Sequence, residues 1–525
     1  MKKFIYNIFY KTPVLCVGGF SIYIFLTLLI NIIFDNSVLK NYTEIYDKIP
    51  NYILIFASVI LFVLSCILLM LPFRKLKIQI SDKKFILLII FCFIGIFAIQ
   101  LFITSNMWFY TGWDVATIVN DAINITSNNT NKVTAWYYST YPNNIVLVYL
   151  LALILRIGKV FLPEPYIAVL GVNCLSVCIS LLLSVLCIFK LTNSRRVTVL
   201  GMIAGVCLIA LSPWIVIPYS DTLGMPFPIL CLFLSLYIKN KYLKYLLCAF
   251  SAAIGYLLKP TVIIILIAMC IVEFCKIFAD LVKGKFQYKS IVALMLAVVL
   301  SLLSANGIKA FVYYIDETEF NESIEFSMEH YFMMGTNVEA NGGYASEDVA
   351  LSYSFSDTQQ RKENNIDIAL ARIKEMGPIE YAKHLIRKNI STYNDGTFYW
   401  GKEGTFFNIT FEREGKLHEV FQNLYYPNEK NFKKFCSAEQ IIWFYVLICI
   451  CFCFLSPKSY GEILISISLI GVSVFLLLFE ARSRYLLIFS PLYITLASIG
   501  IRKFSLLTKK VLSKKFLFLG DYKIS

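Results

Sequence analysis

Apolar runs of about 18 residues or more recur along the whole chain, and each is long enough to cross a hydrocarbon core roughly 30 Å thick. In lipid a lone segment must satisfy its own backbone hydrogen bonds, so runs of this length and composition are helices. The fold class expected is an all-α polytopic membrane protein of about twelve spans. Only 16% of the 525 residues are charged, against roughly 25% in globular proteins. The net charge of +14 comes from Lys and Arg between spans and in the tail, which is a topological signal and not a nucleic-acid footprint. The first run, 13–34, is too long for a signal-peptide core and is followed by no small-residue cleavage site, so it reads as a retained helix.

Spans are expected near 14–34, 52–73, 86–104, 165–190, 197–217, 225–239, 243–258, 260–277, 290–314, 438–455, 459–479 and 484–503. Lys2, Lys3 and Lys11 precede the first. Arg74, Lys75, Lys77, Lys83 and Lys84 fill one loop, and Arg195 and Arg196 another. Lys239, Lys241 and Lys244 follow, then Lys276, Lys283, Lys285 and Lys289, and the Lys-rich tail 503–523. All fall on one side, the cytoplasmic one, if the apolar stretch 143–162 does not cross. Arg156, Gly158 and Lys159 interrupt that stretch, and it reads as a juxtamembrane helix in the interface. Both termini are then cytoplasmic in a plasma-membrane protein.

This divides the chain into three. Residues 1–315 form a transmembrane region with an outer loop, 105–142, and the juxtamembrane helix 143–162. Residues 316–437, about 120 in all, form an extracytoplasmic domain. Residues 438–525 are a transmembrane region with a basic tail. Within 316–437, "DTQQRKENNIDIALARIKEMGPIEYAKHLIRKNI" predicts two amphipathic helices broken at Gly377–Pro378, and "NGGYASED" and "YNDGTFYWGKEG" predict turns. The fifteen cysteines lie almost wholly inside apolar runs, with neither a disulfide framework nor zinc spacing. Cys449, Cys451 and Cys453 alternate along a helix and point apart. No metal site is indicated, and His330, His384 and His418 are too few for a histidine-rich centre.

Charges at the expected outer helix ends carry the chemistry. "TGWDVATIVNDA" (111–122) holds Asp114 and Asp121, and "PYSDTLG" (218–224) holds Asp221. "LLKPT" (257–261) supplies Lys259, and "FEARSRY" (479–485) supplies Glu480, Arg482 and Arg484. Ionisable groups at a membrane border are costly enough to suggest function. Asp114 reads as a general base, and a helix N-cap is the ordinary alternative. For Arg482 and Arg484 the ordinary alternative is snorkelling. Tyr137, Tyr138 and Tyr141 also suit an interfacial aromatic belt, and Asp395 suits a turn.

The arrangement resembles the GT-C superfamily of integral-membrane glycosyltransferases. Its nearest branch is that of protein O-mannosyltransferases and lipid A aminoarabinose transferases, in their bacterial cell-envelope form. Asp114 matches that superfamily's loop acid, "STYPNN" (139–144) the start of its juxtamembrane segment, and Asp221 its second acid. "EHYFMMGTN", "GGYASEDV", "YNDGTFYWGKEG" and "EARSRY" share its character. Three of the expected spans precede the acid loop where those proteins usually have one, and the Lys-Pro start of the aminoarabinose branch is absent. The resemblance implies inverting transfer of a sugar from a polyprenyl-phosphate donor to an extracytoplasmic glycan or glycolipid, beside the lipid bilayer. Asp114 would be catalytic. Asp221, Arg484, Arg482, Lys259, Glu480, Tyr141, Asn143 and His330 would bind substrate. No cofactor is named, and a divalent cation is left open. A polysaccharide polymerase or ligase, or a lipid-linked oligosaccharide flippase, are the competing classes.

Overall fold

A computed structural model describes residues 2–34, 38–39, 49–71, 80–127, 130–410, 415–455 and 458–520. Arg74, Lys75 and Lys77 of the positive-inside pattern, and the tail beyond 520, lie outside the described residues. The described residues are helical throughout, with one isolated antiparallel bridge between Tyr110 and Ile409.

The chain opens with α1 (Lys2–Ile33), α2 (Asn51–Met70) and α3 (Asp82–Met107). A connecting region follows with α4 (Trp113–Ser127), α5 (Ala135–Thr140) and α6 (Ile145–Phe161). Next come α7 (Tyr166–Thr192), α8 (Arg195–Gly205), the short α9 (Ser220–Leu223), α10 (Pro226–Tyr237), α11 (Lys241–Leu258), α12 (Ile263–Val282) and α13 (Tyr288–Ile315). The long polar stretch forms α14 (Met328–Gly335), α15 (Ser346–Ser354), α16 (Thr358–Tyr393) and α17 (Lys416–Tyr425). The chain returns through α18 (Phe432–Cys451), α19 (Tyr460–Leu478), the short α20 (Arg484–Leu487) and α21 (Ser490–Gly520).

Among the described residues, ten helices are long and apolar enough to cross a membrane. They differ from the expected spans in instructive ways. The stretch 197–217 is not one helix: α8 gives way to a π-helical turn over Val206–Ala210 and a 3₁₀ turn over Pro213–Val216. Pro213 has no N–H to continue the ladder, so the chain bends there. α11 and α21 also fall short of that measure, whereas Pro142–Phe161, expected to stay in the interface, meets it.

Contacts show how the helices run. At one end Arg195, heading α8, pairs with Asp82 at the head of α3 (2.6 Å), and Arg196 donates to the carbonyl of Leu71 beyond α2 (2.7 Å). At the other end Trp108 and Tyr110, just past α3, pack on Tyr166 at the head of α7, with ring centroids 5.5 and 4.9 Å apart. The connection from α3 to α7 therefore leaves and returns at one end. Just before α6, Asn144 donates to the Tyr137 hydroxyl (2.8 Å), and near its finish Gly158 abuts Pro165 and Ala168. Both ends of α6 thus touch residues close to them in sequence, Tyr137 at one end and Pro165 and Ala168 at the other.

In α16, Gly377 takes φ 64°, ψ 177° before Pro378 and breaks the helix at the expected place. This left-handed φ suits glycine.

Candidate functional site

The site assembles where several helix ends meet. Residues 110–113 pair with the 405–409 strand-like segment through Gly112 N–H to Thr405 O (2.9 Å) and the Tyr110–Ile409 bridge. A Cβ on Gly112 would meet Thr405 Oγ1 at 2.0 Å, so only glycine permits this approach. The pairing delivers Asp114 into the first turn of α4. It sits inside the helix and not at its N-cap, where backbone N–H groups favour its negative charge. Asp121 has a different job: its carboxylate accepts from the Thr134 N–H and hydroxyl, both at 2.9 Å, and anchors the start of α5.

Six charged side chains from four segments alternate in sign. Lys259 Nζ lies 2.9 Å from Asp221, and Asp221 lies 3.6 Å from Arg484 Nη1. Arg484 Nε lies 3.0 Å from Glu403, which also takes a close contact from Arg482. Arg482 Nε ends the series 3.5 Å from Glu480. Three cations thus match three anions. The Arg484 guanidinium covers the Trp113 ring at 4.5 Å, and Trp113 meets Tyr219 edge-on at 4.9 Å.

Asp114 stands apart from this series. Among the described residues it has no ion pair; its direct partner is the Tyr219 hydroxyl, which donates at 3.2 Å. Its side chain is partly exposed. Desolvation raises its carboxyl pKa above the usual range, the Arg484 charge lowers it, and Glu403 and Glu480 push the same way as burial. Glu403 goes the other way. Burial alone would raise its pKa, but Arg482 and Arg484 hold it below the ordinary glutamate range.

The structure therefore brings together Asp114, Asp221, Lys259, Glu480, Arg482 and Arg484. Snorkelling does not describe the two arginines: Arg484 is only 5% exposed, and both are spent on carboxylates inside the protein. Tyr141 is close enough to Asp114 for that charge to add to the burial that raises its hydroxyl pKa. Asn143 donates to its neighbour Asn144 (3.1 Å). His330 lies a layer behind, bonded to Ser352 (2.7 Å) and stacked on Phe326 (3.9 Å), which in turn packs on Tyr141. Burial lowers its pKa to about 4, so it is neutral at physiological pH. Glu403 and Tyr219 escaped the sequence reading. Asp395 ties its own turn, accepting from Thr397 and Tyr399 N–H groups and pairing with Lys402 at 3.1 Å.

A divalent cation does not suit this donor set. Among the described residues no group of three or more His, Cys, Asp or Glu is placed to hold one, and all but one of the clustered acids already face cations.

Lys388 supports the site from behind. Fully buried, its ammonium donates to the carbonyls of Gly335 (2.8 Å) and Phe479 (2.7 Å), fixing the chain just before Glu480. Gly342, at φ 70°, packs on its stem, where a Cβ would come within 2.6 Å. Burial lowers the Lys388 pKa to about 7, against the pull of Glu480, while an unfolded lysine titrates near ~10.4. Between these values the unfolded chain binds a proton that the folded chain does not, so stability rises with pH. The thermal midpoint of the wild type should climb relative to that of Lys388→Met between pH 7 and 9. Parallel curves would show that Lys388 does not titrate in this window.

A family model described as "Conserved hypothetical integral membrane protein" matches residues 9–504. No curated protein and no solved structure matches the chain.

Proposed function

This chain belongs to that family of integral membrane proteins, and we propose that it is a GT-C-type glycosyltransferase. It takes a sugar from a polyprenyl-phosphate carrier and passes it, with inversion, to a glycan or glycolipid outside the plasma membrane. The observation that carries this reading is Asp114: a partly exposed carboxylate with no ion pair among the described residues, beside a charge-matched series of buried and half-buried cations and anions. A raised pKa makes it a stronger base, as proton abstraction from a hydroxyl requires.

In the proposed reaction an acceptor hydroxyl gives its proton to Asp114 as its oxygen bonds to the anomeric carbon. The bond from that carbon to the phosphate oxygen breaks, and its electron pair leaves with polyprenyl phosphate. Arg484 answers the charge gathering on the phosphate. Its Nε and Nη1 face Glu403 and Asp221 without an aligned hydrogen bond, and in this reading the guanidinium shifts toward the phosphate oxygens when the donor binds. Asp221 and Glu480 hold Lys259 and Arg482 in place. The lipid tail would run between helices.

The test is direct. Purified protein in detergent, given a panel of polyprenyl-phosphate hexoses and pentoses with envelope glycans, should release free polyprenyl phosphate only when an acceptor is present, with inverted product. Movement of lipid-linked sugar across vesicles without release would replace the transferase by a flippase.

Twelve passes, with α6 lying at the outer surface, complete the reading. Cysteines introduced at the exposed positions 193 and 286 should react with an impermeant thiol reagent only after cells are permeabilised, and one at 346 before. Labelling of 193 in intact cells would mean that 143–162 crosses or that the whole topology is inverted, and either would overturn the twelve-pass placement.

A further inference from the structure

The short helix α17 carries an apolar face that the rest of the protein leaves partly bare. Leu417, Val420, Phe421 and Leu424 recur at i, i+3, i+4 and i+7, which is one stripe of a helix, and Glu419 falls on the opposite side. Phe421 and Leu424 pack against the core, but Leu417 and Val420 remain 51% and 56% exposed. Apolar residues exposed singly are ordinary, so the surface beside these two decides what they mean.

That surface belongs to α3, which is long and apolar enough to cross a membrane. His418 donates from Nδ1 to the Asn106 carbonyl (2.6 Å), and its Nε2 meets the Gln422 amide (2.6 Å), so the polar edge of α17 is satisfied inside the protein. One turn further along α17, the Phe421 ring meets Phe102 edge-on at 6.3 Å. α17 therefore rests against the last turns of α3. Ile99 and Phe102 lie on the side of α3 that no other helix covers, each about half exposed, and within the part of α3 that the hydropathy pattern assigns to the hydrocarbon core. Through the Phe421–Phe102 contact, the bare stripe of α17 continues the lipid-facing surface of this span.

We infer that α17 is a membrane-surface helix, seated in the leaflet that adjoins Asp114 with Leu417 and Val420 among the upper acyl chains. Amphipathic helices of this kind bury their apolar face about 5–10 Å into the boundary between headgroups and chains. The inference needs only that the chain is an integral membrane protein, and it stands whatever reaction the protein performs. It also gives the lipid a hold on the charge series. Trp400 Nε1 donates to the carbonyl of Tyr425, the last residue of α17, at 2.7 Å, and Phe407 packs on Tyr426 with ring centroids 4.6 Å apart. Trp400 and Phe407 bracket Glu403, the carboxylate that Arg482 and Arg484 share. The end of α17 thus fixes the segment that carries Glu403.

The full chain in phospholipid nanodiscs tests this, first without any substitution. A diazirine placed high on a phospholipid acyl chain should, on illumination, label the peptide that bears Leu417 and Val420, and a water-soluble diazirine should label those two residues weakly. Labelling of both residues by the soluble reagent alone would put the stripe in water and overturn the inference. A fluorescent amino acid installed at position 420 then reads the face directly. Nitroxide-bearing lipid should quench it strongly and aqueous iodide weakly, and the same probe at the exposed position 419 should show the reverse order. Iodide quenching that is equally strong at 419 and 420 would remove the helix from the leaflet. Protection of 420 from both quenchers, together with a photocrosslink from that position to a second copy of the chain, would replace lipid by a protein contact and overturn the inference as well. Should either labelled chain fail to fold, the acyl-chain diazirine result on the unmodified protein decides.

Discussion

Asp114→Asn should abolish sugar transfer, with kcat falling about 10²–10⁴-fold, the usual contribution of a positioned acid or base. The substitution is nearly isosteric, and its amide oxygen can still accept from Tyr219, which now bonds the carboxylate at 3.2 Å. What disappears is the ability to take a proton. Folding should survive, since Asp114 contributes no ion pair among the described residues and its carboxylate bears a desolvation cost that the amide lacks. Membrane yield and thermal midpoint should match or slightly exceed those of the wild type. The pH profile gives an independent check. Because burial raises the Asp114 pKa above the ordinary aspartate value, the base is protonated over a wider acidic range. The acid limb of kcat/KM should therefore fall above ~4, and it should be missing from whatever residual rate the Asn variant retains. Wild-type turnover by purified Asn variant would sink the assignment.

The reason Asp114, Asp221, Lys259, Glu480, Arg482 and Arg484 were legible is that each lies beside an apolar run, where charge is expensive and therefore conspicuous. Glu403 was not legible for the opposite reason. It sits in a polar stretch of about 120 residues, where one more acid carries no signal, and its contacts with Arg482 and Arg484 span about eighty residues of sequence. Lys388 was hidden in the same way: on an amphipathic helix it reads as a solvated charge, and only tertiary packing buries it. The break in 197–217 eluded a hydropathy window because the π turn and the 3₁₀ turn are as apolar as a helix. The interfacial placement of 143–162 rests on the count of Lys and Arg on either side. By length and hydropathy that stretch meets the measure of a span, so its interfacial placement belongs to the proposed topology.

Arg484 should prove the most sensitive position of the charge series, in two separable ways. Its guanidinium lies between Asp221 (3.6 Å) and Glu403 (3.0 Å) over the face of Trp113. Arg484→Ala leaves two buried carboxylates short of a counter-charge, and removing one partner of a buried pair costs about 3–5 kcal/mol. That variant should accumulate poorly. Glu403→Gln introduced alongside should recover part of the yield, because one stranded charge is then gone. Arg484→Lys isolates the chemistry. It keeps the positive charge and much of the fold but replaces a planar fork with a point charge. If Arg484 holds the donor phosphate as its charge grows, losing one directional hydrogen bond to a charged group, about 1.5–3 kcal/mol, lowers kcat/KM for the polyprenyl-phosphate sugar about 10–100-fold. The loss should appear in kcat as well as in donor KM, with acceptor KM nearly constant. Glu480→Gln should give a weaker version, since Glu480 touches Arg482 and not Arg484. Unchanged donor kinetics in a stable Arg484→Lys protein would confine the whole series to holding helix ends together and leave the phosphate to another cation.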